Sequence, residues 1–353
     1  MKKRIVSALL ALCLLASLGT LPAAAAGANT ARTFSDVTDL DALYGNEHIK
    51  KILNGSGNFS SFLIEGPDGS GKHTLAHIIA ASRLCISDGE KKPCGKCLAC
   101  KKVAVGMHLD LLSIDPTLPV KELRESLDDV ELYPADGAHK VYIIDGADRL
   151  NEQKQNTLLK TLEEPPEFVT FILLAHSSDA FLQTILSRCA LLSLRPLSDE
   201  LLEKALREKI KDSDPTALHR AIMLSGGYIG QALELYKKRD DALFERCEKF
   251  AAAFVSGKWL EMTDLLTFAG KDARQKFTEY VSALEKYIKR CFGYAVAGSS
   301  EGLSETERAL TTLGTEKLTK LCGAVGTTAE NSNINVNLNL WSVYTVKKCR
   351  EIR

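Results

Sequence analysis

Three groups of residues in this sequence have the types and spacing to do chemistry. The first is Gly66-Pro67-Asp68-Gly69-Ser70-Gly71-Lys72-His73-Thr74, which follows the apolar run Ser60 to Glu65 and opens a helical pattern. Glycines let the backbone curl so that successive N–H groups and the helix N-terminus face a phosphate, and a lysine adds a point charge on the outer phosphates. Gly66, Gly69, Gly71, Lys72, His73 and Thr74 are therefore candidate nucleotide-binding residues. Asp145 joins them, because it ends the run KVYIID where a second acid supports a metal's water shell. The set lacks two working parts. The residue after the lysine normally offers a hydroxyl to Mg²⁺, and a neutral imidazole at His73 is a poor ligand for an ion that prefers oxygen. Thr74 sits about 100° further round the helix and is a weak substitute. Gly146 follows Asp145 where a hydrolase needs a carboxylate to polarise water. A glycine-rich structural turn and a strand-capping aspartate are the plainer alternatives.

The second group is Cys85, Cys94, Cys97 and Cys100, spaced C-x8-C-x2-C-x2-C among lysines. Two-residue spacers let thiolates converge on one tetrahedral ion, which predicts a structural Zn²⁺ knuckle with four protein ligands. A pair of disulfides is the competing reading. The other six cysteines are scattered and read as small buried hydrophobes. The third group is one residue, Arg188, in Thr184-Ile185-Leu186-Ser187-Arg188-Cys189. An arginine fixed at a domain edge can neutralise charge on a neighbour's γ-phosphate, and its bland alternative is a helix-end salt bridge.

Short strands alternating with helices must position these groups. Ser60 to Glu65, Leu109 to Ile114, Lys140 to Asp145 and Phe168 to Ala175 read as strands. The patterns over Thr74 to Arg83, Val120 to Leu132 and Glu152 to Glu164 read as helices, which predicts an α/β fold with a parallel sheet covered on both faces. After Pro196 every segment reads as helix: 199–211, 215–224, 229–238, 242–255, 273–295 and 337–352. The expected domains are a P-loop domain over 41–196 with the knuckle at 85–100, a small helical lid over 197–239 and an all-α domain over 240–353. Composition agrees with globular packing, with 45% hydrophobic and 25% charged residues. Forty-five Lys and Arg balance 45 Asp and Glu, so the whole chain has no electrostatic pull on nucleic acid, and any such role is local or indirect. Residues 1–26 have the basic, apolar and small-residue parts of a secretory signal, followed by a linker over 27–40. Export conflicts with the rest of the reading. A cytoplasmic protein is expected, either with translation starting nearer residues 33–43 or with residues 1–26 an addition irrelevant to function.

GPDGSGKHT, the cysteine knuckle, IIDGADRLNEQKQNTLLKTLEEPP, TILSRC and NVNLNLW together resemble the bacterial DNA polymerase III clamp loader, a family of AAA+ type, from about Tyr44 to the C-terminus. The resemblance implies a P-loop domain, a lid and a helical collar through which five subunits form an open ring that loads the sliding clamp onto primed DNA. Motor subunits of that family (gamma/tau) carry Thr or Ser at the place of His73, Glu at Gly146, Thr near Ala175 or His176, and Arg at Gly230. All four differ here, while Arg188 remains. That combination resembles the stator-like delta prime subunit, whose arginine serves ATP bound by the next subunit, with motor and delta subunits as partners. A self-sufficient ATPase of gamma/tau type, with Glu152 or another carboxylate as base, is the alternative.

Overall fold

The computed structural model describes residues 40, 43–54, 59–89, 91–239, 241–334 and 337–353. The signal-like segment 1–26 and the linker up to residue 39 lie outside them. Five parallel strands form one sheet: β1 (Ser61–Glu65), β2 (Leu111–Ile114), β3 (Lys140–Asp145), β4 (Val169–Ala175) and β5 (Ala190–Ser193), in the order β2-β3-β4-β1-β5. Leu63 on β1, the strand between β4 and β5, stands opposite Leu173 of β4 and Leu191 of β5. Successive side chains of a strand point to opposite faces, so a strand covered on both sides is apolar throughout. Every residue of β4 is buried.

Helix α1 (Glu47–Asn54) precedes the sheet, and α2 (Lys72–Leu84) covers one face, where Leu75, Ile79 and Leu84 pack with Phe62, Ile64, Ile172 and Leu174. The knuckle carries α3 (Leu98–Ala104). On the other face lie α4 (Val120–Glu125), α5 (Glu152–Glu163) and α6 (Gln183–Leu186), whose Leu123, Leu158, Leu162 and Ile185 pack with Leu63, Ile144, Phe171 and Leu173. Asn151 starts α5 by accepting a hydrogen bond from the Lys154 N–H at 3.0 Å.

Helices α7 (Asp199–Lys209), α8 (Pro215–Leu224) and α9 (Ile229–Lys238) enclose a small core of Leu202, Leu206, Leu218, Ile222 and Ala232. The remaining helices are α10 (Asp241–Ser256), α11 (Trp259–Leu265), α12 (Ala273–Ala297), α13 (Glu305–Thr311), α14 (Thr315–Asn331) and α15 (Leu338–Ile352). They bury Phe250, Phe254, Phe277, Tyr280 and Tyr287 in the largest core of the described residues. Among the described residues no helix is long and apolar enough to cross a membrane.

The helix expected over 120–132 ends at Glu125. Leu127, Val130 and Leu132 each bond three residues back, to Arg124, Leu127 and Asp129, so successive tight turns bury Leu127 and Val130 with a spacing that mimics a helix. The sequence reading also passed over β5, α1, α3, α6, α11, α13 and α14.

Candidate functional site

β1 ends at Glu65, and the chain turns through Gly66 (φ 155°), Gly69 (φ 72°) and Gly71 (φ 100°) into the first turn of α2. Gly69 and Gly71 hold left-handed backbone that other residues enter only with strain. Lys72 is 5% exposed, and its ammonium donates to the Gly66 carbonyl and lies 3.8 Å from Asp68. Burial pulls its pKa down, against the opposing pull of Asp68, Asp145 and Asp148.

His73 faces Asp145 across the sheet end, with Nε2 2.8 Å from Oδ2. That contact, with Lys72 nearby, holds the Asp145 carboxyl below its usual range. The place of a metal-binding hydroxyl is thus taken by a ring bonded to the very acid that would steady the metal's water. Thr74 makes no hydrogen bond to Asp145 among the described residues. Gly146 starts a one-turn helix at φ 70°, where a glutamate would be strained and its Cβ would lie 3.3 Å from the Arg149 side chain. Glu152 is exposed at the start of α5.

Because β4 lies between β1 and β3, the residue after it meets the loops that follow both neighbours. His176 there bridges Asp68, with Nε2 at 3.1 Å, and Asp148, with Nδ1 at 3.0 Å. Asp148 and the bridge escaped the sequence reading; the signal for them was a second acid three residues after Asp145.

The start of α9 packs directly on the glycine-rich loop between β1 and α2. Gly230 N–H donates to the Gly69 carbonyl at 3.0 Å, and Gln231 Nε2 donates to the Asp68 carbonyl at 2.6 Å. Lys286, on α12, supports the clamp by donating to Gln231 Oε1 at 2.7 Å. A Cβ on Gly230 would lie 2.7 Å from both Cα and O of Gly69, so no arginine fits there in this arrangement. Gln231 and Lys286 carried no motif signal.

Arg188 follows α6. Its Nη2 lies 2.7 Å from Glu163 Oε1, and Nη1 donates to the Thr184 carbonyl at 2.8 Å and to Ser187 Oγ at 3.3 Å. The side chain keeps 32% of its surface exposed, so the guanidinium is ordered and still reachable.

Cys85, Cys94, Cys97 and Cys100 converge, with their sulfurs all within 4.8 Å of one another. The Cys97 N–H donates to Cys94 Sγ at 3.3 Å and the Cys100 N–H to Cys97 Sγ at 3.4 Å. Backbone N–H groups of Lys96 and Cys97 lower the Cys94 pKa to about 6, while burial raises that of Cys100. Four converging sulfurs with N–H donors behind them fit a tetrahedral thiolate ion site. All four are free thiols, as are Cys247, Cys291 and Cys349, which are buried, and Cys189 and Cys322, which are half-buried.

Residues 46–198 match the family model described as "DNA polymerase III, delta subunit". The chain is 36% identical over 181 residues to DNA polymerase III subunit gamma of Buchnera aphidicola subsp. Acyrthosiphon pisum, covering 50% of each chain. It is 35% identical over 214 residues to subunit tau of Escherichia coli, covering 58% of this chain and 32% of that one. With subunit gamma/tau of Mycoplasma genitalium it shares 32% over 274 residues, 74% of this chain and 44% of that one. The chain therefore spans half or less of the length of these relatives. Over the matched residues it is related to DNA polymerase III subunits, and these three relatives are named gamma and tau where the sequence departures point to delta prime.

Proposed function

From that relationship as premise, we propose that the chain is a subunit of the replicative clamp-loader ring and acts as a stator of delta prime type. In this reading it hydrolyses no ATP by itself and lends Arg188 to a nucleotide held by an adjacent motor subunit. The observation that carries it is the His73–Asp145 contact at 2.8 Å. It takes the acid away from a metal's water shell, beside a Gly146 that offers no base. Loss of a metal ligand and of a general base would each remove several kcal/mol of transition-state stabilisation (~3 kcal/mol each). Lys72 and the loop glycines keep the chemistry of a phosphate cradle, and nucleotide entry there requires Gly230 and Gln231 to move off Gly69 and Asp68.

The names of the relatives favour a second reading, a gamma/tau-type ATPase with another carboxylate as base. Turnover by the isolated chain separates the two, since sustained hydrolysis would establish the second.

The proposed division is a P-loop domain over 41–196, a lid over 197–239 and a collar over 240–353. Leu340, Val343 and Tyr344 form an exposed apolar stripe on α15 that supports assembly through the collar. Motor and delta subunits are the proposed partners, with the sliding clamp and primed DNA engaged through the ring. Cys85, Cys94, Cys97 and Cys100 would hold one structural Zn²⁺, which ties the knuckle to α2. A cytoplasmic location goes with this, because a reducing compartment keeps four thiols available to a metal.

A further inference from the structure

Helix α5 reaches the segment that carries Arg188 at two places. Near its start, the amide of Gln155, 3% exposed, accepts from the Leu182 N–H at 2.9 Å and donates to the carbonyls of Ala180 and Leu150, both at 2.9 Å. Leu182 is the residue from which α6 starts, so Gln155 fixes where that helix begins. Eight residues further along α5, roughly 12 Å at the helical rise, Glu163 meets the guanidinium. The Thr184 carbonyl and Ser187 Oγ take the two Nη1 protons, and Glu163 takes one from Nη2. An arginine has five N–H donors, so Nε and one Nη2 proton are left for an outside ligand.

We propose that Glu163 is the positioning residue of Arg188, on a frame that Gln155 sets, so that α5 orients the cation this chain offers to a neighbouring nucleotide. The inference rests on the trans role of Arg188 proposed above. A long side chain held by a carboxylate and two local acceptors is pre-oriented for a phosphate, and less of its freedom is lost when that contact forms. Glu163 transfers no proton and touches no substrate.

The test is steady-state ATP hydrolysis by the full ring, reconstituted with its motor and delta subunits, the sliding clamp and primed DNA. Arg188→Ala, Glu163→Ala, Glu163→Gln and the double variant Glu163→Ala/Arg188→Ala are compared. Expected are a several-fold lower kcat for Glu163→Ala with KM for ATP unchanged, recovery of most of that loss by Glu163→Gln, whose carbonyl still accepts, and a double variant no slower than Arg188→Ala alone. Glu163 is 47% exposed, so the fold tolerates these changes, and equal melting curves check this. Full-speed turnover by Glu163→Ala while Arg188→Ala is slow overturns the positioning role, as does an additive loss in the double variant. Full-speed turnover by Arg188→Ala overturns the reading beneath it.

Discussion

Gly230 N–H bonds the Gly69 carbonyl at 3.0 Å, which brings the first turn of α9 against the glycine-rich loop after β1 with no side chain between them. Only a residue without Cβ allows this, since an added carbon would lie 2.7 Å from two Gly69 backbone atoms. Gly230→Ala is expected to cost about 1–3 kcal/mol, the usual range for overpacking against atoms that cannot swing away. Gly293, in α12, is the control, because a Cβ there meets nothing within 4 Å. Its replacement by alanine should be neutral or stabilising by up to ~1 kcal/mol. Chemical denaturation of both variants checks the pair; a loss from Gly293→Ala equal to that from Gly230→Ala would show that the lid contact is not the cause.

His219 on α8 and Glu307 on α13 tie the three helices α7 to α9 to the helical region that follows them. Nε2 lies 3.1 and 3.2 Å from the two carboxylate oxygens, and Glu307 is fully buried. The hydrogen bond to Glu307 raises the His219 pKa above its ordinary value, against the opposing pull of burial. A raised folded-state pKa means that the stabilisation is complete below the ordinary imidazole pKa of about 6.5 and is lost as pH rises through the folded value. His219→Ala leaves a buried carboxylate with only the Ser304 N–H as its capping donor, and should cost about 3 kcal/mol at pH 6 and less at pH 9. Melting curves across that range check it, and a penalty that grows with pH would contradict the assignment.

The four sulfurs within 4.8 Å predict one zinc per chain, released by a strong chelator together with a drop in melting temperature. Cys97→Ser should lose the metal, because it removes one of the four sulfurs, while a serine hydroxyl can still cap α3 by accepting the Cys100 N–H. Elemental analysis of the purified protein reads the stoichiometry directly; a metal-free protein with two disulfides would refute the site.

The sheet and the glycine-rich turn after its first strand were legible in sequence because each strand is a short apolar run that ends in a polar residue, as KVYIID does at Asp145. Glycine and threonine hid α14, where Gly323 and Gly326 interrupt the apolar pattern and Thr319, Thr327 and Thr328 bond the carbonyls four residues back. The missing side chain of Gly326 has a packing reason, since its Cβ would meet Glu285 of α12 at 3.3 Å. β5 is four residues long, too short to show a period. In the site, the departures at 73, 146 and 230 can be read from residue types alone. The contacts that accompany them, His73 on Asp145, His176 between two aspartates and Gln231 on Asp68, link positions 28 to 163 residues apart and leave no local mark.

As a stator of the proposed kind, this polypeptide supplies a cation to a reaction that takes place on another subunit and turns over nothing alone. The direct measurement is ATP consumption by the purified chain, then by the complete ring containing either native protein or Arg188→Ala. Expected are no turnover by the isolated chain and a ring slowed about 10³-fold at the interface this subunit serves. Sustained hydrolysis by the isolated chain, or a ring that runs at full rate without the Arg188 guanidinium, would contradict the stator reading.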